Sequence, residues 1–273
     1  KQLYRFKNGF PGVLLNRPAK INDGIVPIKK LDADRLISSY ESSRDQLDII
    51  KFVPASGAAT RMFKFLYEFL NTFNQNKQSI NSYINNNKAN DLFTFLIGRR
   101  DLPFYVEIME SIRRKNSDWS AKSKTEKETL FVTEVLSPSG FNYAAMPKGL
   151  VPFHKYKDRS ASAFEEHLFE ASIYASSNGK ARLHFTIAPA FKDHFTAEFD
   201  RVRKAIEKKT QTTFDIDFSY QSSATDTLAV DSENNPIIFE DGTLFFRPAG
   251  HGALITNLNL LDADLIFIKN IDN

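Results

Sequence analysis

Four short segments carry the residues that could do chemistry. The first is Ala55-Ser56-Gly57-Ala58-Ala59-Thr60-Arg61-Met62. Small side chains let backbone N–H groups approach a phosphate, a helix starting there adds positive potential, and Arg61 supplies a permanently charged donor fork. The second, Pro147-Lys148-Gly149-Leu150-Val151-Pro152, brackets a lysine between a fixed turn and an apolar strand, where its ammonium can stand as a point charge against a phosphate. In the third, Arg247-Pro248-Ala249-Gly250-His251-Gly252-Ala253, glycines on both sides of His251 permit close backbone approach to a planar ligand. The fourth is Asn270-Ile271-Asp272-Asn273. An aspartate at a strand end suits Mg²⁺, which usually takes one or two carboxylates plus substrate phosphates. Each fragment by itself also reads as an ordinary turn or strand end.

Composition bounds the alternatives. At 273 residues, 42% hydrophobic and 25% charged, the chain suits globular folding and excludes general disorder. With no cysteine, a disulfide framework, a thiol nucleophile and Cys-ligated zinc are excluded. The 36 basic and 33 acidic residues leave a net charge of +3, which is no nucleic-acid footprint. No segment approaches the roughly 20 apolar residues of a membrane-spanning helix, and no signal-type apolar run follows the start. The expectation is a cytoplasmic protein whose partners are small molecules, with neither nucleic acid nor membrane among them; composition leaves the oligomeric state open. The 25 phenylalanines against one tryptophan imply a bulky core and name no chemistry.

These segments must be positioned by the elements around them. An N-terminal helical arm, residues 1–48, holds a helix predicted from Ala33 to Gln46 with Asp32 as N-cap. Ile49-Ile50-Lys51-Phe52-Val53-Pro54 reads as a buried strand that delivers the chain into the first small-residue loop. Met62, Phe65, Leu66, Phe69, Leu70 and Phe73 then recur at helical steps. Asn71–Asn90 is polar and reads as an exposed connection or frayed helix end, and Arg113–Lys127 as a solvated loop or helix surface. Residues from about 71 to 140 form a predicted helical insertion in an α/β domain spanning 49–273. Beyond Pro147, strands (Leu150–Phe153, Arg182–Ile187, Phe214–Tyr220, Leu228–Val230, Ile237–Phe239, Leu244–Phe246, Leu265–Lys269) alternate with helices at Ala161–Ala175 and Phe191–Lys208. That alternation favours a mostly parallel sheet with helices on both faces, with ligands at the carboxyl ends of its strands.

In this order, the four segments resemble the motifs of nucleotide-sugar pyrophosphorylases, especially the UDP-sugar branch. That family's motifs run roughly A-G-G-x-G-T-R-M, P-K-x-L-x-P, P-P-G-H-G and N-x-D-N, and stand here as Ala55–Met62, Pro147–Pro152, Pro248–Gly252 and Asn270–Asn273. The whole chain, with its FHKY, EEHL, HFT, TDT and FRPAGHGAL strings, is most similar to an uncharacterised bacterial domain family. The resemblance implies a Rossmann-like nucleotide-diphospho-sugar transferase fold of GT-A type. It implies transfer of a nucleotidyl group from UTP, or another nucleoside triphosphate, to a sugar 1-phosphate, with Mg²⁺ as cofactor. By motif, Ser56, Gly57, Ala58, Ala59, Thr60 and Arg61 would hold the triphosphate, with Arg61 and Lys148 as the catalytic cations. Gln221 would read the base edge, and Gly250 and Gly252 would line base and ribose. His251 and Asn270 would face the sugar, and Asp272 would hold the metal. Family members continue beyond the N-x-D-N motif, so the resemblance implies that this chain is an N-terminal portion of the fold.

Two loop glycines of the family are Ser56 and Ala59 here. If position 59 needs positive φ, alanine carries a steric penalty there. The second reading is therefore a degenerate module that binds a nucleotide or nucleotide sugar without chemistry. A third, a metal-dependent glycosyltransferase, rests on Asp215-Ile216-Asp217 and Asp262-Ala263-Asp264, which match a D-x-D metal motif by letters only. Glu165, Glu166 and His167 are consecutive and cannot all share one helix face. His167 and His184 read as structural hydrogen-bonding groups before metal ligands, and Asp226 and Asp231 as turn residues.

Overall fold

The computed structural model describes the backbone of residues 1–273 and the side chains of all but Lys30 and Leu31. Its main sheet contains β1 (Ile49–Pro54), β2 (Lys180–Thr186), β3 (Thr213–Ser219) and β4 (Leu265–Ile268). Every neighbouring pair among them is parallel, and their order across the sheet is β3-β2-β1-β4. The first strand thus lies inside, with the next two on one side and the last on the other. A two-residue stub, Ser176–Ser177, pairs antiparallel with the start of β2, so the sheet is mixed.

Sequence accounts for these positions. All six residues of β1 are buried, as suits an interior strand covered on both faces. In β3, Phe214, Ile216 and Phe218 alternate with Asp215 and Asp217, the period-two pattern of a half-solvated strand. The apolar set turns toward α8 (Ala163–Tyr174) and α9 (Lys192–Thr210), where Phe164, Leu168, Phe195 and Val202 join Val53, Leu183 and Phe185 in one core. Both of these helices lie on that face, and the opposite face carries shorter cover. Across the sheet the short α10 (Ile255–Asn259) approaches β3, where the Asn257 Nδ2 donates to Ser219 Oγ and to the Tyr220 carbonyl, each at 2.9 Å.

The remaining helices are α1 (Gln2–Asn8), α2 (Lys30–Ser43), α3 (Lys64–Thr72), α4 (Ile80–Asn87), α5 (Asn90–Gly98), α6 (Tyr105–Lys115) and α7 (Lys124–Leu136). From α3 to α7 they build a second core in which Phe69, Phe104 and Phe131 are fully buried. Among the described residues, no helix is long and apolar enough to cross a membrane.

Three local expectations are corrected. Helix α2 starts at Lys30 with no side-chain cap, and Asp32 lies in its first turn, where a negative charge suits the helix dipole. The polar stretch 71–90 contains α4, capped by Ser79, whose Ile80, Tyr83 and Ile84 sit at helical spacing and are buried. Its asparagines mask that face by composition. The charged run 113–127 is, as expected, solvated loop and helix surface, from the end of α6 to the start of α7, and within it Ser123 and Glu126 form a reciprocal capping box. The stretch 227–247 does not join the sheet; Thr227–Leu228 pairs antiparallel with Phe246–Arg247, and single bridges join Val230 to Pro236 and Ile238 to Leu244.

Candidate functional site

Backbone pairing brings the first, second and fourth segments together at the carboxyl ends of β1 and β4. The Ala55 N–H donates to the Thr186 carbonyl at 2.8 Å, fastening the loop after β1 to the end of β2. Ala58 and Pro147 then form an antiparallel bridge, in which Lys148 N–H donates to the Gly57 carbonyl (3.0 Å) and Ala59 N–H to the Met146 carbonyl (3.1 Å). Thr60 Oγ1 donates to the Ala144 carbonyl at 3.1 Å. Beyond β4, Lys269 N–H reaches the Phe52 carbonyl and Ile271 N–H the Pro54 carbonyl, both at 3.1 Å. Asn270–Asn273 therefore runs beside the end of β1.

Glycine 149 sets the closeness of this junction. A Cβ there would stand 3.0 Å from the Phe195 ring and 3.1 Å from Ile271 Cγ1, tighter than a side chain tolerates without a neighbour moving. With that gap closed, Lys148 Nζ meets Asp272 Oδ2 at 2.5 Å, although the two residues are 124 positions apart. The Lys148 hydrogen bond holds the Asp272 carboxyl below the usual aspartate range; burial works in the opposite direction, and His251 adds a smaller pull the same way as Lys148. His251 opens a single turn, His251–Leu254, that is anchored by the buried Leu254. Lys148 and Asp272 converge where the strand order reverses between β1 and β4, the position at which open α/β sheets bind ligands.

The other candidate residues are placed differently. Arg61 is exposed and lines a separate hollow with Lys64, Phe65, Glu68 and Asp91, between α3 and α5; Met62 borders both that hollow and the Asp272 side. Ala59 is fully buried in the helical core, and no residue from Ser56 to Thr60 has positive φ. Alanine at position 59 is thus unstrained, and its N–H is already engaged. The N–H groups of Ser56, Gly57 and Ala58 enter no backbone hydrogen bond. Gln221 is half-buried just past β3 and donates to Thr225 Oγ1 at 3.2 Å. Gly250 and Gly252 are exposed with open space around them, and Asn270 is half-buried.

A charged group that sequence reasoning passed over reaches, through Glu170, the same cavity that Asp272 borders. Lys51, in the middle of β1, has no exposed surface, and its Nζ contacts Glu170 Oε2 at 2.6 Å. Lys269 pairs with the other oxygen of the same carboxylate. Lys51 also donates to the His167 carbonyl at 3.2 Å and stands 5.2 Å from the centre of the Tyr174 ring. Burial pulls the Lys51 ammonium down to about 8. Burial also opposes ionisation of Glu170, yet the hydrogen bonds from Lys269 and Lys51 prevail and bring its carboxyl to about 2. A lysine inside an otherwise apolar strand was the available signal.

The two histidines lie on opposite faces of the sheet. His184 bonds Ser219 Oγ at 2.8 Å and stacks on Phe52. His167 Nε2 lies 3.2 Å from the Ile271 carbonyl, which only accepts, so Nε2 carries the proton and steadies the chain just before Asp272. Burial, the largest influence, lowers His167 to about 4 from 6.5. The unfolded chain therefore takes up this proton near pH 6.5 and the folded protein only near 4, so acid favours unfolding across that window, by on the order of 3 kcal/mol. Urea titrations at pH 7 and pH 4 should show the loss, and His167→Gln should show a markedly smaller difference between the two pH values.

Asp231 accepts the N–H groups of Glu233 and Asn235, as a turn residue does. Among the described residues, no three His, Cys, Asp or Glu side chains cluster as a metal cage. Asp272 offers one exposed carboxylate. That donor set fits a Mg²⁺ ion that arrives with a phosphate ligand, and does not fit a caged resident ion.

A family model described as Domain of unknown function (DUF4301) matches residues 1–273. No curated protein and no solved structure matches the chain.

Proposed function

The chain belongs to the DUF4301 family, and we propose that it is a nucleotidyltransferase-like domain, built on a GT-A type sheet, that joins a sugar 1-phosphate to UTP with release of pyrophosphate. The observation that carries this reading is the meeting of Lys148 and Asp272, from two distant segments, at the reversal of strand order, with His251 acting on the Asp272 carboxyl only through its electrostatic pull. In the reaction, a phosphate oxygen of the sugar phosphate attacks the α-phosphorus in line. A new P–O bond forms there, the bond to the β-phosphate bridging oxygen breaks, and pyrophosphate departs with the electron pair. Such chemistry needs positioning and charge neutralisation and no protein nucleophile, which suits a chain without cysteine. Lys148 would exchange Asp272 for the phosphates and offset charge on the equatorial oxygens. The N–H groups of Ser56, Gly57 and Ala58 enter no backbone hydrogen bond and would be available as further donors. Mg²⁺, held through Asp272 and the phosphates, would supply additional charge neutralisation.

The test is pyrophosphate release from UTP with a panel of sugar 1-phosphates, alongside calorimetric titration of UTP. Release with at least one sugar phosphate is the expected result; no turnover together with no UTP binding removes the reading.

A second reading, a module that binds the nucleotide without turnover, draws on one feature. The candidate cation and the candidate metal ligand neutralise each other at 2.5 Å. UTP binding without pyrophosphate release would select it. Restoring glycine at position 59 is a poor discriminator, because it would open a hole in the helical core. The glycosyltransferase reading lacks its metal pair at this site. Asp215 pairs with Lys180 near the start of β2, and Asp264 accepts the Asp48 N–H ahead of β4, both toward the amino ends of the strands.

A further inference from the structure

The FHKY and EEHL strings find no use in the reading above, yet the fold places both beside Asp272. The strand Pro152–Lys155 and helix α8 form two walls of a cavity of about 470 Å³, and Asp272 borders it. That volume suits a small ligand. Phe153, Phe169 and Ile173 make the walls largely apolar, while His154 and Glu166 contribute polar groups.

Glu166 determines what such a ligand must offer. One of its oxygens accepts the Tyr156 hydroxyl at 2.7 Å, and the Arg159 guanidinium stands 4.8 Å from the centre of the same Tyr156 ring. Arg159 forms its ion pair with Glu165 instead. Among the described residues, no cation is paired with Glu166. An uncompensated carboxylate in a partly apolar cavity repels a phosphate and favours a neutral group that donates hydrogen bonds. The phosphate-attracting charge lies elsewhere, at Lys148 on the Asp272 rim. Of the side-chain carboxylates on the cavity, Asp272 is paired with Lys148 just outside it and Glu170 with Lys51 and Lys269, which leaves Glu166 as the one without a cationic partner among the described residues. The apolar side chains of Phe153, Phe169 and Ile173 offer a surface of the kind that packs against the C–H face of a pyranose ring.

We propose that this cavity receives the hydroxyl-bearing ring of the sugar 1-phosphate, with Glu166 as the acceptor that selects it and the phosphate left at Lys148. The inference rests on the nucleotidyl-transfer reading and deepens it. It places the sugar between α8 and the Pro152–Lys155 strand, a location that neither His251 nor Asn270 indicates.

The experiment compares calorimetric binding of four hexose 1-phosphates (glucose, galactose, mannose and N-acetylglucosamine) with binding of ethyl phosphate, which carries the charge without the hydroxyls. Wild-type protein and the variants Glu166→Gln and Ile173→Trp are used, with UTP titrated in parallel. Glu166→Gln keeps the shape of the side chain, and Ile173→Trp narrows the cavity from an exposed helix position. Wild type should bind at least one hexose 1-phosphate more tightly than ethyl phosphate. Glu166→Gln should weaken that binding by about tenfold or more, since a hydrogen bond to a charged acceptor is lost. Ile173→Trp should weaken it as well, with ethyl phosphate and UTP unaffected in both variants. Equal binding of hexose phosphates and ethyl phosphate by wild type, or a hexose preference that survives both substitutions, overturns the inference and leaves the transfer reading in place. Failure of UTP and of every phosphate to bind the wild type overturns both.

Discussion

Replacing Lys148 by alanine is expected to lower pyrophosphate release from UTP by at least about a hundredfold, the scale on which removal of one preorganised charge-stabilising donor is felt. Lys148 is held by a backbone bond to Gly57, by the close seat of Gly149 and by Asp272, so its ammonium is aimed before any ligand arrives. Stability should barely change. The Lys148–Asp272 pair is partly exposed on both sides, and such pairs contribute about 0–1 kcal/mol. Urea midpoints for wild type and Lys148→Ala should therefore coincide within error while turnover collapses. Lys148→Arg should recover little, because a planar fork cannot replace a compact point charge in a seat this tight. Full turnover by Lys148→Ala, with an unchanged urea midpoint, would exclude the lysine from the chemistry and remove the main support for nucleotidyl transfer.

The largest effect on stability is expected at Glu170. Glu170→Ala removes the shared partner of Lys51 and Lys269 and leaves the Lys51 ammonium unpaired with no exposed surface. Breaking a buried pair in this way typically costs about 3–5 kcal/mol. Adding Lys51→Met to Glu170→Ala should restore much of the loss, since the stranded charge is then gone. Chemical denaturation of the single and double variants at pH 7 measures both. The contribution depends on acid. Glu170 protonates near 2 in the folded protein and near 4.5 in the unfolded chain. Its stabilisation is present above about 4.5 and fades as the pH falls toward 2. Equal stability of wild type and Glu170→Ala at pH 7 would show that Lys51 is satisfied some other way.

Several parts of this architecture were legible because they depend on neighbours a few positions away. The run Ile49–Pro54 reads as a buried strand from its own six residues, and Leu66 and Phe69 mark the inner face of α3 by spacing alone. Where spacing and composition disagreed, composition misled. The asparagines around Ile80, Tyr83 and Ile84 concealed α4, although three apolar residues suffice to hold it against the core. Capping by Ser123 and Glu126 is likewise local, a serine followed three residues later by a glutamate inside the charged run. The motif order placed Lys148 and Asp272 in one candidate site, and their ion pair follows from a strand order that no local signal contains.

Arg61 shows the opposite limit. Its segment reaches the junction, yet the turn before α3 sends the guanidinium into a different hollow. Lys51 and Glu170 were invisible as a pair because the partners are 119 residues apart and on different elements. From residue order alone, the strands of the main sheet, most helices and the charge-bearing loops follow, because turns, caps and amphipathic faces are decided within a few residues of one another. Which side chains share a cavity, which charges neutralise each other and which histidine loses its proton were settled only when β4 docked beside β1. Those outcomes depend on distance through space and on removal from water, and neither is a property of position along the chain.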